Sequence, residues 1–75
     1  MVVLIKNNIN EDITLGFLFE IFKNNKALNN FSKLDISNQL KITKYIQNSS
    51  TGYEVKEKIN TAIENLENNS LDFLN

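Results

Sequence analysis

Glu11-Asp12-Ile13-Thr14-Leu15-Gly16-Phe17-Leu18-Phe19-Glu20-Ile21-Phe22-Lys23 is the stretch that decides the fold. Asn10 is a good helix N-cap, and Glu11 and Asp12 then fall in the first turn, where the helix dipole favours acids. A helix is predicted from there to about Lys23. At about 100° per residue, Ile13, Leu15, Phe17, Leu18, Phe19, Ile21 and Phe22 cover well over half of its circumference. Gly16, Glu20 and Lys23 form the only coherent polar strip. Such a helix is expected to be central and wrapped on most sides, with Phe17, Ile21 and Phe22 enclosed. Gly16 borders that surface and is expected to admit another backbone closely. Leu15 and Phe19 lie on the arc that a single neighbour covers least easily.

Downstream, Asn24-Asn25 breaks this helix. Ala27, Leu28, Phe31 and Leu34 recur at helical spacing and predict a short second helix from about Lys26 to Lys33. Asp35 is the next N-cap candidate. A third helix follows from about Ile36 to Asn48, with Ile36, Leu40, Ile42, Tyr45 and Ile46 apolar and Lys41 and Lys44 on the opposite, solvated face. Gln39 falls inside the apolar arc and needs a hydrogen-bond partner if buried. Asn48-Ser49-Ser50-Thr51-Gly52 is the clearest break. Thr51 and Glu54 then have capping-box spacing, opening a fourth helix to about Glu67. Its narrow stripe of Val55, Ile59, Ala62, Ile63 and Leu66 predicts packing by one face. Glu54 and Lys58 make a favourable i,i+4 pair.

At the ends of the chain, Val2 to Lys6 is rich in β-branched residues and reads as a strand or extended arm. One strand cannot make a sheet alone. It would pair with the C-terminal tail or a second subunit, or lie over the helices. Leu71, Phe73 and Leu74 form an apolar tail that would dock on the core or pair with Val2–Lys6. The expected architecture is all-α: a compact bundle of four helices, the second short, with an N-terminal extended segment. It forms a single domain, with residues 1–9 as an arm, 10–67 as the helical core and 68–75 as a tail.

Composition narrows the function. The 75 residues hold eight lysines and nine acids, for a net charge of −1, with no arginine, histidine, cysteine, proline or tryptophan. Disulfides, thiol chemistry, imidazole catalysis and histidine or cysteine metal sites are thereby excluded. No apolar run approaches the ~20 residues of a membrane span, and Met1-Val2-Val3-Leu4-Ile5 lacks the flanks of a signal peptide. A soluble, cytoplasmic protein is expected. Fourteen residues are asparagine. The doublets Asn7-Asn8, Asn24-Asn25, Asn29-Asn30 and Asn68-Asn69 could be a polar binding surface. The plainer account is base composition plus asparagine's tolerance of helix ends and left-handed positions, so that the doublets punctuate the segments.

The run Phe31-Ser32-Lys33-Leu34-Asp35-Ile36-Ser37-Asn38-Gln39, with Lys44-Tyr45-Ile46, Glu54, Lys58-Ile59 and Ala62-Ile63-Glu64-Asn65-Leu66, resembles the C-terminal helical region of the bacteriocin-protection YdeI/OmpD-associated (OmdA) family. In that family a short acidic segment opens the first helix, where Glu11-Asp12-Ile13 stands here. A phenylalanine and a leucine precede a Ser-Pro-Ser turn, where Leu34-Asp35-Ile36-Ser37 stands. An aromatic–isoleucine pair closes the next helix, as Tyr45-Ile46 does. The last helix carries a basic–isoleucine pair, matched by Lys58-Ile59, and an Ala-Val-Glu-x-Leu ending, matched by Ala62 to Leu66. The similarity covers residues 10 to 67. The family's turn proline is Ile36 here, its Glu-Thr is Tyr53-Glu54, and of its arginine-rich stretch only Lys56 and Lys58 remain, with Glu57 between them. The resemblance implies a helical module from a family with no established catalytic mechanism, whose name links it to protection against antibacterial agents and to the cell envelope.

The residues themselves leave three functional classes to weigh. For an enzyme, the carboxylate pairs Glu11–Asp12 and Glu64–Glu67 are the only acid–base candidates. The first is explained by the helix dipole and the second sits on a solvated face, whereas catalytic pairs need a cleft that shifts their pKa. No enzymatic activity and no cofactor are expected. For nucleic-acid binding, the third and fourth helices could form a helix-turn-helix contacting through Lys41, Lys44, Lys56 and Lys58. Those four lysines face five acids in residues 36–75 (Glu54, Glu57, Glu64, Glu67 and Asp72), and arginine, the usual guanine reader, is missing. For a protein-interaction module, surplus apolar surface at Leu15 and Phe19 would hold a protein partner or a second copy in a homodimer. Tyr45 and Tyr53 flank the turn before the fourth helix and could anchor a partner, with Lys58 beside them. The expected function is therefore a non-enzymatic protein-interaction module. A phage- or plasmid-type inhibitor or immunity protein is the alternative, and a weak DNA-binding regulator the third option.

Overall fold

The computed structural model describes the backbone of residues 8–74 and the side chains of residues 13–74. Among the described residues the chain forms α1 (Asn8–Phe22), α2 (Asn25–Ser32), α3 (Ile36–Gln47) and α4 (Gly52–Glu67), followed by a 3-10 turn at Asp72–Leu74. The protein is thus an all-α bundle of four helices with a short second member. The strand or arm expected at Val2–Lys6, and its pairing with the tail, lie outside the described residues.

Local chemistry explains most helix ends. Asn24 Oδ1 accepts from the Ala27 N–H at 3.1 Å and opens α2. Asp35 Oδ1 accepts from Asn38 N–H at 3.0 Å and opens α3. Thr51 Oγ1 accepts from Glu54 N–H at 3.1 Å and opens α4. The reciprocal half of the box is displaced by one residue: Glu54 Oε1 accepts from the Ser50 N–H at 2.9 Å. The α4 C-terminus is closed by Asn69, whose φ of 56° is left-handed. Its N–H reaches Leu66 O at 3.0 Å, and Ser70 N–H reaches Asn65 O at 2.8 Å. This pair of bonds is a Schellman closure made by asparagine in place of glycine.

Two boundaries correct the expectation. α1 begins at Asn8, so Asn10 lies inside its first turn, and residues 8 and 9 belong to the helix rather than to an arm. Asn7, Asn8 and Asn10 can all cap, and sequence does not rank them. The Asn29-Asn30 doublet lies within α2 and punctuates nothing. A tertiary bond occupies Asn30 instead: its Nδ2 donates to Leu66 O at 2.7 Å, a second donor for that carbonyl at the end of α4.

The core is Phe17 and Ile21 of α1, Ala27 of α2, Ile42 and Ile46 of α3, and Ile59, Ala62 and Leu66 of α4. All four helices supply it, and each large side chain enclosed stabilises by roughly 1.5–3 kcal/mol. Phe31 meets Phe17 edge-on, with ring centroids 5.6 Å apart. Val55 and Ile63 are half-buried beside the α4 stripe, so this helix does pack by one face. Gln39 finds its partners in the carbonyls of Phe31 and Leu34, at 3.0 and 3.3 Å, and so closes the α2–α3 corner.

α1 is not wrapped on most sides. Phe17 and Ile21, one turn apart, are 2% and 0% exposed, but Phe22 is 60% exposed. Residues two positions from Phe17 stand on the far side of the helix. An eight-residue α2 and the flanking α3 and α4 leave that side bare. Gly16 does not receive a backbone: a Cβ placed there would meet only Ile59 Cδ1 at 3.8 Å, an ordinary contact. On α3, Ile36 and Leu40 are exposed rather than core residues, because the buried face turns through Ile42 and Ile46.

The tail docks. Asn69 reverses the chain, and the 3-10 turn returns against α3 and α4. There Phe73 meets Tyr45 edge-on at 5.1 Å, and Leu71 and Leu74 pack on the core.

Candidate functional site

Leu15, Phe19 and Phe22 follow one another at i, i+4 and i+7, the spacing of a single helix face. They are 50%, 66% and 60% exposed. α1 therefore presents an apolar ridge on the side opposite the core. Leu15 and Phe19 were expected to be the residues hardest to cover. Phe22 was expected inside, and nothing in the local pattern separates it from Ile21, its neighbour in sequence. The signal was available only as the i, i+3 relation of Phe22 to Phe19.

A groove runs beside this ridge between α1 and α4. One section, about 240 Å³, is bounded by Gly16 and Glu20 of α1 and by Gly52, Val55, Lys56, Ile59 and Asn60 of α4. It continues through Glu20 and Asn60 into a more polar section of about 350 Å³, bounded also by Lys23, Asn24, Ile63, Glu64 and Glu67. The floor is apolar, with Val55, Ile59 and Ile63, because Gly16 places no side chain there. The rim alternates in charge: Lys23 lies 3.5 Å from Glu20, both solvent-exposed. Among the described residues, no three acidic side chains are grouped to hold a metal ion.

Tyr45, Tyr53 and Lys58 do not form one surface. Tyr45 is half-buried and meets Phe73 edge-to-face. Lys58 Nζ stands 5.0 Å from the Tyr45 ring centroid, donates to Asn48 O at 2.6 Å and lies 3.6 Å from Glu54. These two residues join α3, α4 and the tail. Tyr53 is 73% exposed on the first turn of α4, and its hydroxyl donates to Glu57 at 2.8 Å. That bond, followed by the negative charge of Glu57, raises the Tyr53 pKa above its usual value. Glu54 is shifted the other way: the Ser50 N–H bond, opposed by desolvation and aided by Lys58, lowers its carboxyl.

Lys41 and Lys44 are exposed on α3, as expected, and Lys56 is exposed on α4. Lys58, the fourth member of the candidate basic set, is committed to the helix junction. Among the described residues, no helix is long and apolar enough to cross a membrane. Comparison with protein-family models, with curated proteins and with solved structures gave no match.

Proposed function

We propose that the protein is a non-enzymatic interaction module whose contact surface is the outer face of α1. The observation that carries this reading is the ridge of Leu15, Phe19 and Phe22, each at least half exposed. Aromatic side chains that each bring 150–250 Å² of surface dominate interface energetics, and a grouped apolar patch marks an interaction site. The groove beside the ridge adds apolar depth, which a ridge alone lacks. The likeness of residues 10–67 to the OmdA-type helical module supports the same class, a protective protein that acts by contact. A cysteine-free chain suits a reducing compartment such as the cytoplasm.

The test is capture of partners from the native host by the wild-type chain and by a Leu15→Ser/Phe19→Ser variant, with a Tyr53→Ala variant as control. The expected result is loss of specific partners with the α1 variant and retention with the control. Helicity by circular dichroism should be unchanged in both. Full retention of every partner by the α1 variant overturns the assignment of the surface.

A further inference from the structure

Residues 71–74 are held on the bundle by apolar contact alone. The reversal before them is fixed by backbone bonds from Asn69 and Ser70 to the end of α4. Beyond it, the Asp72 N–H donates to Ser70 Oγ at 3.2 Å, and the Leu74 N–H to Leu71 O at 3.0 Å. Among the described residues, no hydrogen bond or ion pair joins residues 71–74 to α3 or α4. Leu71, Phe73 and Leu74 pack on the core, yet the turn contributes no buried residue, and Asp72 is exposed. Half-burial of three side chains is set against the entropy cost of ordering the segment. Such a segment opens locally while the rest of the fold stays closed.

The seat beneath it is built without it. Tyr45 meets Phe73 edge-on at 5.1 Å and has Lys58 Nζ 5.0 Å from its ring centroid. Lys58 is itself fixed by Asn48 O at 2.6 Å and lies 3.6 Å from Glu54. The Tyr45 ring therefore keeps its neighbour from α4 when Phe73 leaves. What is uncovered at the α3–α4 seam is a preorganised aromatic surface.

We infer that this seam is a binding site for a short apolar turn of another protein, and that residues 71–74 occupy it in cis. It is a surface distinct from the outer face of α1. The cis occupant defines the chemistry of the partner: an aliphatic residue, an aromatic one two positions on and an aliphatic directly after it, with a polar residue between the first two facing water. A single turn closed by its own bond, as from Leu74 N–H to Leu71 O, sets no unpaired donor against the apolar seat. Segment and partner compete for one place. Binding in trans must therefore exceed the effective concentration of the attached segment, about millimolar for so short a connection.

The probe is the peptide Ser-Leu-Asp-Phe-Leu-Asn, the sequence of residues 70–75, with blocked ends. It is titrated to about 5 mM into the isotope-labelled full chain and followed by amide NMR signals. A Phe73→Ser chain, whose own segment no longer competes, takes the peptide with a dissociation constant of about 1 mM and moves the signals of Tyr45, Ile46 and Lys58. The wild-type chain takes it at least about fivefold more weakly, because its site is open for only a fraction of the time. A peptide with serine in place of phenylalanine binds neither chain. Should Phe73→Ser lower the helicity, Leu74→Ala carries the same expectation in a milder form. No shift with either variant overturns the inference, and so does equal affinity for variant and wild type or for the two peptides. Shifts confined to Leu15 and Phe19 assign the peptide to α1; they overturn the seam and leave the interaction surface proposed above standing. Wild-type chains that exchange residues 71–74 into a dimer, read by light scattering at the same concentrations, make the occupant a second copy and overturn its assignment to another protein.

Discussion

The side-chain amide of Asn30 donates a 2.7 Å hydrogen bond to the carbonyl of Leu66, thirty-six residues away. It adds, from α2, a second donor to a carbonyl that also accepts from the Asn69 N–H at the end of α4. Asn24, one α2 turn and a half earlier, caps α2 with its oxygen and donates from its nitrogen to the Glu67 carboxylate. Two asparagines thus bind the short helix to the last turn of the longest one.

Replacing Asn30 with Ala removes the inter-helix donor to the Leu66 carbonyl, which keeps the Asn69 N–H. The expected loss is about 0.5–1.5 kcal/mol of unfolding free energy, read from the urea midpoint at constant slope. Asn29→Ala, on the exposed neighbour, serves as the control and should lie within about 0.5 kcal/mol of wild type.

Asn69 holds the left-handed closure of α4. Asn69→Gly should be neutral or slightly stabilising, since glycine takes this conformation without a Cβ penalty. Asn69→Val should cost about 1–2 kcal/mol and loosen the docked tail, visible as faster amide exchange at Phe73 and Leu74.

Core and ridge aromatics should separate cleanly. Phe17→Ala removes an enclosed ring and is expected to cost about 3–5 kcal/mol, enough to unfold much of so small a domain. Phe19→Ser changes a ring that is 66% exposed, and the monomer's stability should move by no more than about 0.5 kcal/mol. A Phe19 variant as damaging as the Phe17 variant would show that the ridge is covered in solution.

Lys58 makes three contacts at the α3–α4 junction, with Asn48 O, Glu54 and the Tyr45 ring. Lys58→Met keeps the stem and removes the charge. The expected cost is about 1–2 kcal/mol, and the effect should be non-additive with Tyr45→Leu in a double-mutant cycle, because the two share an interaction.

The α4 cap should titrate with acid. The Glu54 carboxyl is lowered from its ordinary value of 4.5 in the folded chain. Its contribution is complete above that value, in the ionised form that accepts from Ser50 N–H. It is lost as pH falls through the lower folded value. The stability difference between wild type and Glu54→Gln should therefore be constant above about pH 6 and shrink below 4.5. A difference that grows with acid would mean that the carboxyl is not stabilised in the ionised form.

Helix starts at Asp35 and Thr51 were legible because a cap spans only three residues and uses chemistry that the sequence spells out. The single-faced stripe of α4 was equally plain, as was the polar partner that Gln39 needed. Other features were not. Capping residues compete over a few positions at the start of α1, and the sequence does not choose among them. Asn29-Asn30 looked like punctuation, because nothing near it in the chain announces a carbonyl thirty-six residues further on. Tyr45 was legible as an apolar residue of the third helix and as a candidate partner anchor, but its contacts with Phe73 and Lys58 depend on the returning tail and on α4.

Local pattern therefore determined that this chain makes four helices, which residues cap two of them, and that catalysis by histidine or cysteine has no means here. Only the tertiary arrangement decided which side of α1 meets the core. With apolar residues nearly all round, the helix could bury almost any face. The choice fell to the lengths and positions of its neighbours, which enclose Phe17 and Ile21 and leave Leu15, Phe19 and Phe22 facing water.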